Sequence, residues 1–311
     1  MRAVVVRSFG GPEALEVEEV PIPRTGPGQV RIRVEAAAVN PVDVATRTGV
    51  LVEFGLVDRR EVQGVGWDVA GVVEEVGAGV AEFAVGDRVI GLADRLDVSI
   101  GSYAEQIVLD ATAVAPAPEG VTAAQAATLP LNALTADQAL DLLDLPEGGT
   151  VLVTGAAGGV GGYAVELAVL RGLRVVAVAG AEDEKLVRGF GAEFFVPRDA
   201  ELGPAVRELV PGGVDGAIDA AAIGKAPLTA VRGGGSFVAV LGGAEPLPLR
   251  GTRVANVWIR ADGARLAELA RLAGEGRLSL RVADTLPLDQ ATAAHERFAR
   301  GGLRGRLVLL P

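Results

Sequence analysis

Residues 151–162 read Val-Leu-Val-Thr-Gly-Ala-Ala-Gly-Gly-Val-Gly-Gly, and they decide the fold class of this chain. An apolar, strand-like run ends at a cluster of glycines, and a stretch with helical periodicity, residues 163–170, follows. Glycines at such a junction allow a sharp turn, let a pyrophosphate approach the backbone and bring the helix close to the strand. The phosphates would lie at the positive end of that helix. The stretch therefore predicts the first unit of a dinucleotide-binding sheet.

Strand and helix patterns alternate on both sides of this turn. We predict strands at 150–154, 174–179, 193–196, 216–219, 236–241 and 254–260, with helices at 159–171, 182–189, 205–209 and 225–231 between them. Six strands with helical crossovers predict a doubly wound parallel sheet. Two later helices, 263–272 and 290–300, and a last strand, 306–310, close the chain.

The first third of the chain has a different rhythm. Short alternating or apolar runs separated by Gly and Pro occur at 4–6, 15–20, 29–34, 71–77, 87–91 and 104–109. Strands at such short spacing predict a partly open barrel. Because the pattern changes near Pro116, we expect an α/β protein with a barrel domain, residues 1–116 plus 261–311, and a dinucleotide-binding domain, residues 117–260.

Composition excludes several functional classes. With Lys+Arg 29 against Asp+Glu 40, the net charge of −11 disfavours nucleic acid and anionic membranes as partners. The 311 residues include no Cys and a single His, His295, so thiolate chemistry, thiolate-bound zinc and His-based triads are excluded. No apolar run approaches the roughly 20 residues that span a bilayer, and the first residues lack a secretion signal. We expect a cytoplasmic protein.

Motifs spread over nearly the whole chain carry a family resemblance. They include Asn40-Pro41-Val42-Asp43, Gly66-Trp67-Asp68 and Gly101-Ser102-Tyr103-Ala104-Glu105, and further matches occur at 10–13, 69–73, 85–89, 294–295 and 305–309. Together with the glycine cluster, these motifs resemble the zinc-free, zeta-crystallin-like quinone oxidoreductase branch of the medium-chain dehydrogenase/reductase superfamily. The resemblance implies an N-terminal GroES-like barrel and a Rossmann sheet.

The motif at Gly66-Trp67-Asp68 bears on the reaction. Zinc alcohol dehydrogenases of this superfamily carry Gly-His-Glu there and need cysteine ligands, which this chain lacks. Without a Lewis acid, alcohol oxidation is disfavoured, whereas reduction of a quinone or an α,β-unsaturated carbonyl needs less help. The resemblance thus implies an NADPH-dependent reductase of quinones or enones. Two alternatives remain open: an enoyl reductase acting on acyl thioesters of polyketide or fatty-acyl metabolism, and a non-catalytic NADPH-binding sensor or structural protein.

The end of the second predicted strand bears on the choice of coenzyme. NAD-binding sheets place a carboxylate there, whereas this strand ends at Ala179 and Gly180. Small neutral residues leave room for a 2′-phosphate, and Lys185 and Arg198 would favour it, unless both are solvated surface charges. The acidic residues at 182–184 would repel a phosphate unless they point away. We expect NADPH to be preferred over NADH.

The resemblance implies further contacts with the coenzyme. The implied residues line the pyrophosphate, contact the nicotinamide or lie in loops after the later strands; they are Thr135, Gly158, Gly159, Val160, Gly161, Val240, Leu241, Gly242, Trp258, Arg260 and Arg304. Two of them have an alternative interpretation: the Thr135 hydroxyl could bond to its own helix, and Arg304 could be a solvated surface residue.

Candidate catalytic residues cluster in the motif at Asn40. The Asn40 amide could donate to a substrate carbonyl, or Asn40 could cap a turn before Pro41. Asp43 could orient water or a ribose hydroxyl, or serve as the N-cap of a helix beginning there. Many relatives place a Tyr two residues later, where this chain has Ala45, so Thr46 is the nearby hydroxyl. We predict structural roles for Tyr103 and His295.

The sixth predicted strand suggests an assembly. Residues 254–259 are apolar and should lie at the edge of the sheet, where an exposed strand invites pairing with another chain. The branch commonly dimerises through this strand, so we expect a homodimer, with a covering helix as the alternative.

Overall fold

The computed structural model describes residues 1–95 and 98–311 and divides them into two compact units. The first unit comprises Met1–Leu131, Arg260–Gly276 and Leu280–Pro311, and the second comprises Asn132–Ile259 and Arg277–Ser279. Residues 117–131, which the sequence analysis assigned to the dinucleotide-binding domain, thus belong to the first unit.

Two antiparallel-rich sheets form the first unit. A three-stranded sheet contains β1 (Arg2–Val6), β2 (Glu16–Glu19) and β4 (Gln63–Gly64), with β1 in the centre. The strands of the larger sheet are β3 (Gln29–Ala38), β5 (Asp68–Val76), β6 (Arg88–Leu92), β7 (Gln106–Asp110), β8 (Val114–Pro116), β15 (Val282–Pro287) and β16 (Arg306–Leu310). Their order is β15-β16-β3-β5-β6-β8, and β7 pairs with β3.

Alternation along these strands builds the core of the first unit. On β3, Val30, Ile32 and Val34 are buried, whereas Arg33 between them is exposed. Among its described residues, five helices belong wholly to this unit: α1 (Pro41–Thr48), α2 (Val50–Glu53), α3 (Ala123–Ala126), α9 (Gly263–Gly274) and α10 (Ala291–Ala299). Because α3 packs against β3 and β5, the segment after β8 stays with the first unit.

Parallel strands form the sheet of the second unit. They are β9 (Thr150–Thr154), β10 (Arg174–Ala179), β11 (Phe194–Pro197), β12 (Val214–Asp219), β13 (Val231–Ala239) and β14 (Arg253–Asn256). Their order in space is β11-β10-β9-β12-β13-β14. The order reverses between β9 and β12, which is the topological switch point at which doubly wound sheets bind dinucleotides. The predicted Rossmann fold and GroES-like barrel class are confirmed.

Helices connect consecutive strands of this sheet. They are α5 (Gly159–Leu170), α6 (Glu184–Gly189), α7 (Leu202–Leu209) and α8 (Lys225–Ala230), and α4 (Pro130–Leu143) leads into the unit. In the described part of the chain, no helix has both the length and the apolar character needed to cross a bilayer.

The sixth strand is shorter than predicted. The prediction extended it to Arg260, but β14 ends at Asn256. Its neighbour β13 ends at Ala239, whose carbonyl accepts a last hydrogen bond from the Val257 amide at 3.0 Å. Since the neighbouring strand stops there, the apolar residues that follow leave the sheet. The predicted edge position of this strand is confirmed.

Candidate functional site

The glycine-rich turn lies at the switch point of the second unit. Gly155 follows β9 with φ +59°, and Gly158 is the N-cap of α5, with no side chain capping the helix. A Cβ at Gly161 would lie 2.1 Å from the Gly155 carbonyl oxygen. Only glycine at this position therefore lets α5 start so close to the turn. The first turn of α5 carries no acidic side chain, and the positive end of a helix attracts anions.

Two polar residues that the sequence analysis did not select tie this turn to the neighbouring strand. The Thr154 hydroxyl donates to Asp219 Oδ1 at 2.6 Å, and the Ala221 amide donates to the same hydroxyl oxygen at 3.0 Å. Asp219 Oδ2 accepts from the Gly224 amide at 2.7 Å. Thr154 and Asp219 are the last residues of β9 and β12, and a polar residue closing each apolar strand was the signal that could have identified them.

The predicted residues of the 2′-phosphate region meet at the end of β10. The Arg198 amide, just after β11, donates to the Ala179 carbonyl at 2.8 Å. The Arg198 guanidinium lies over Gly180, where a Cβ would come within 2.2 Å of Nη2. Glu182 does not point away, because its carboxylate pairs with Arg198 at 2.8 Å. Lys185 is exposed on α6.

The other predicted residues of the second unit follow the later strands or lie on α4. Val240, Leu241 and Gly242 come directly after β13, and a Cβ at Gly242 would lie 3.1 Å from the ring of Trp258. The Trp258 side chain is 64% exposed. Thr135 is buried on α4. Together with Gly158, Gly159, Val160 and Gly161, the loop residues lie beyond the carboxyl ends of parallel strands, where such sheets bind ligands.

In the first unit, Asn40 and Asp43 are fully buried at the start of α1. Asn40 rather than Asp43 is the N-cap, which corrects the sequence interpretation of Asp43. Asp43 is the third helical residue, and its Oδ2 accepts from the Asn40 amide at 2.7 Å, as in a capping box. Pro41 fits the first helical position because that position needs no amide hydrogen.

A buried polar cluster extends from this helix start. The Asn40 side-chain amide donates to Asp68 Oδ2 at 2.7 Å and to the Ala38 carbonyl at 3.3 Å. Asp68 Oδ1 accepts from the Leu131 amide at 2.6 Å. The Asn40 side-chain amide is therefore already hydrogen-bonded inside the protein. Its acceptor, Asp68, stands where the zinc alcohol dehydrogenases have the glutamate of their Gly-His-Glu motif. Asp68 was quoted within a motif but was not selected as a site residue.

Tyr103 and His295 complete the cluster. The Tyr103 hydroxyl donates to Asp43 Oδ2 at 3.0 Å and lies 3.3 Å from His295 Nε2. The two rings meet edge to face, with centroids 5.9 Å apart. Both residues are fully buried.

Burial shifts the acid–base equilibria of the cluster. It raises the pKa of Asp43 to about 7, against hydrogen bonds from Asn40 and Tyr103. It raises the pKa of Asp68 to about 7, against hydrogen bonds from Leu131 and Asn40. It lowers the pKa of His295 to about 4, and the charge of Arg47 adds to this shift. Arg306 opposes the shift at both carboxyls.

These shifts predict a pH dependence of stability. Carboxyls with a pKa near 4 when unfolded and about 7 when folded stabilise the protein below pH 4, and this stabilisation is lost as the pH rises to 7. His295 acts in the opposite direction between pH 4 and 6.5. Two carboxyls outweigh one imidazole, so we expect the cluster's contribution to the free energy of unfolding to fall between pH 5 and 7.

Urea unfolding of the native chain and of Asp43→Asn at several pH values measures this effect. In the variant, the free energy of unfolding should fall less steeply between pH 5 and 7, by about 1.4 kcal/mol per pH unit, which corresponds to one proton. Glu184→Gln, at an exposed carboxylate, should keep the native slope. Identical slopes for Asp43→Asn and the native chain would show that Asp43 is ionised in the folded state.

Three predicted residues of the first unit lie elsewhere. The Thr46 hydroxyl donates to the Val42 carbonyl at 2.9 Å, and Thr46 lines a small pocket with Phe9, Leu51, Val52, Val57 and Gln63. Arg260 and Arg304 are exposed, and Arg304 Nη1 donates to the Gly302 carbonyl at 3.1 Å.

Comparisons with known proteins identify the family. Residues 26–119 match the family model "Alcohol dehydrogenase GroES-like domain", and residues 190–309 match "Zinc-binding dehydrogenase". Mouse quinone oxidoreductase is 32% identical over an alignment 334 residues long, which covers 100% of this chain and 98% of the mouse protein. The chain belongs to the quinone oxidoreductases of the medium-chain dehydrogenase/reductase superfamily.

Other relatives of this quinone oxidoreductase family carry different names. The "NADPH-dependent alkenal/one oxidoreductase, chloroplastic" of Arabidopsis thaliana is 34% identical over 253 residues, which cover 79% of this chain. The alignment spans 64% of the length of that plant protein. A crystal structure titled "NAD-dependent alcohol dehydrogenase" superimposes with a TM-score of 0.89 at 33% identity, and the match covers 100% of both chains.

Proposed function

We propose that this chain is an NADPH-dependent oxidoreductase that reduces quinones or α,β-unsaturated carbonyls without a metal ion. The observation that carries the proposal is the glycine-rich turn at the switch point, in a chain whose relatives are named as quinone and alkenal/one oxidoreductases. Such a turn serves dinucleotide binding, and the relatives' names supply the acceptor class.

The residues of the second unit fit an adenine dinucleotide. The first turn of α5 carries no acidic side chain, its helix dipole favours a pyrophosphate, and glycines at 158, 159 and 161 present no side chain there. Arg198 supplies a cation for a 2′-phosphate, and Lys185 on α6 is a second, exposed cation proposed for it. Thr135, Val240, Leu241, Gly242 and Trp258 are proposed to line the rest of the coenzyme. Arg260 and Arg304, which belong to the first unit, stay predictions of the family resemblance.

The reaction needs little acid–base help from the protein. Bound NADPH would supply the hydride, and solvent would supply the proton that completes a hydroquinone or a saturated carbonyl. Asn40 and Asp43 act in this proposal as positioning residues, because their buried bonds fix the start of α1. That helix presents Thr46 to its pocket, and the Thr46 hydroxyl donates its hydrogen bond to the Val42 carbonyl.

Metal independence rests on the composition of the chain. It contains no Cys, and its one imidazole, His295, is buried against Tyr103. Trp67 stands where the zinc enzymes of the superfamily have a histidine. Apart from the buried His295, the Cys and His donors of the superfamily's tetrahedral zinc sites are therefore missing from the sequence.

Coenzyme oxidation with a panel of acceptors tests this function. We expect 1,4-benzoquinone and a simple enone to accelerate NADPH consumption, with the rate unchanged by EDTA. Gly189→Ala, a substitution at the end of α6 into open space, should retain the native rate. Activity on acyl thioesters alone would favour the enoyl reductase alternative. Coenzyme binding without consumption of any acceptor would contradict the proposed reaction.

We also propose a homodimer through the edge of the second unit's sheet. The two copies would pair through the strand Arg253–Asn256 and the residues that follow it to Ile259. Light scattering in solution should give the mass of two chains. A cytoplasmic location remains our proposal for the compartment.

A further inference from the structure

Glu182 and Arg198 form an exposed ion pair directly over Gly180. Arg198 Nη2 lies 2.8 Å from Glu182 Oε1, and the two side chains are 62% and 63% exposed. A Cβ on Gly180 would come within 2.2 Å of that guanidinium nitrogen and within 2.4 Å of both Glu182 carboxylate oxygens. The absent side chain at Gly180 therefore makes room for a carboxylate and a guanidinium at one strand end.

This strand end is where coenzymes are distinguished in doubly wound sheets. A carboxylate there accepts hydrogen bonds from the ribose hydroxyls of NAD, and an arginine there holds the 2′-phosphate of NADP. Here the chain has both groups within hydrogen-bond distance of each other. Backbone bonding keeps them together, since the Arg198 amide donates to Ala179 and the Asp183 amide donates to Gly180.

The two groups compete electrostatically. An exposed ion pair contributes little to stability, so a bound ligand can displace it. A 2′-phosphate must take Arg198 from Glu182 and then lie beside the released carboxylate, which repels it. A ribose diol faces no such cost, because an ionised carboxylate only accepts hydrogen bonds.

We propose that Glu182 sets the coenzyme selectivity of this chain: its carboxylate competes with the 2′-phosphate for Arg198 and accepts the ribose hydroxyls of NADH, so the protein uses both coenzymes. The proposal rests on the proposed function. It makes the preference for NADPH over NADH weaker than Gly180, Lys185 and Arg198 alone would predict. Glu182 weakens NADPH binding, and Arg198 makes that binding possible.

Binding calorimetry with NADPH and NADH on the full chain tests the proposal. Glu182→Gln keeps the shape of the side chain and removes its charge, so NADPH affinity should rise about tenfold while NADH affinity stays equal or falls. Glu184→Gln is the matched control, because Glu184 is a neighbouring exposed carboxylate paired with Arg188 at 2.8 Å. It makes the same change in net charge without touching Arg198.

A double-variant cycle separates the specific effect from long-range charge. Arg198→Gln should weaken NADPH binding at least tenfold and leave NADH nearly unchanged, and the gain from Glu182→Gln should vanish in its presence. Equal gains from the two glutamate variants, or equal effects on both coenzymes, would overturn the role of Glu182. A native chain that binds neither coenzyme would overturn the proposed function as well.

Discussion

Gly161→Ala should lower the free energy of unfolding by about 3 kcal/mol and reduce coenzyme affinity more than tenfold. The added Cβ would lie 2.1 Å from the Gly155 carbonyl oxygen, 2.6 Å from its carbon and 3.0 Å from Ala156 Cα. All three are backbone atoms, so no side chain can rotate to make room. The turn between β9 and α5 must open, and the N–H groups at the helix start then lose the arrangement that a pyrophosphate needs.

Two other glycine-to-alanine variants serve as comparisons for the loss of stability. A Cβ at Gly158 would meet only the Gly155 carbonyl oxygen, at 3.1 Å, so Gly158→Ala should cost much less stability. Gly189 on α6 has nothing within 4 Å of an added Cβ, and Gly189→Ala should leave melting unchanged or raise it slightly. Chemical denaturation and calorimetry measure both quantities. A Gly161→Ala variant that unfolds and binds like the native chain would show that the turn is not so tightly packed.

The second unit was largely predictable because its information is local. The strands at 150–154 and 174–179 have the predicted bounds, since each apolar run is followed directly by a glycine. Parallel pairing then places the ends of β10 and β11 side by side, which brings Gly180 and Arg198 together. The overextended sixth strand shows the limit of this logic, because its end is set by where β13 stops.

The buried cluster of the first unit was not predictable in the same way. Asn40 and Asp68 are 28 residues apart in sequence, and their contact depends on the register of β3 on β5 and on two shifts within that pairing. No periodicity specifies such irregularities. The helix cap was readable in principle, since Asn40 and Asp43 have the three-residue spacing of a capping box, with Pro41 after the cap.

Asp68→Ala should lower the free energy of unfolding of the first unit by about 3–4 kcal/mol. The fully buried Asp68 accepts from the Asn40 side chain at 2.7 Å and from the Leu131 amide at 2.6 Å. Truncation removes both buried hydrogen bonds, each of which contributes roughly 1.5–2 kcal/mol when the acceptor is a carboxyl group. Asp68→Asn keeps one acceptor oxygen and should lose about half as much.

Asp94→Ala is the matched control for the loss of a carboxylate that accepts a backbone amide. Asp94 is only half-buried and accepts from the Ala261 amide at 2.6 Å, so its truncation should cost about 1 kcal/mol. Denaturant unfolding compares the stability of the variants.

Asp68→Ala should also lower kcat, which steady-state kinetics at a temperature where the variant is fully folded measures. Without Asp68 the Asn40 side-chain amide loses its acceptor at 2.7 Å, and the start of α1 loosens. If Asp68→Ala costs no more than Asp94→Ala, the cluster does not hold the helix that carries Thr46.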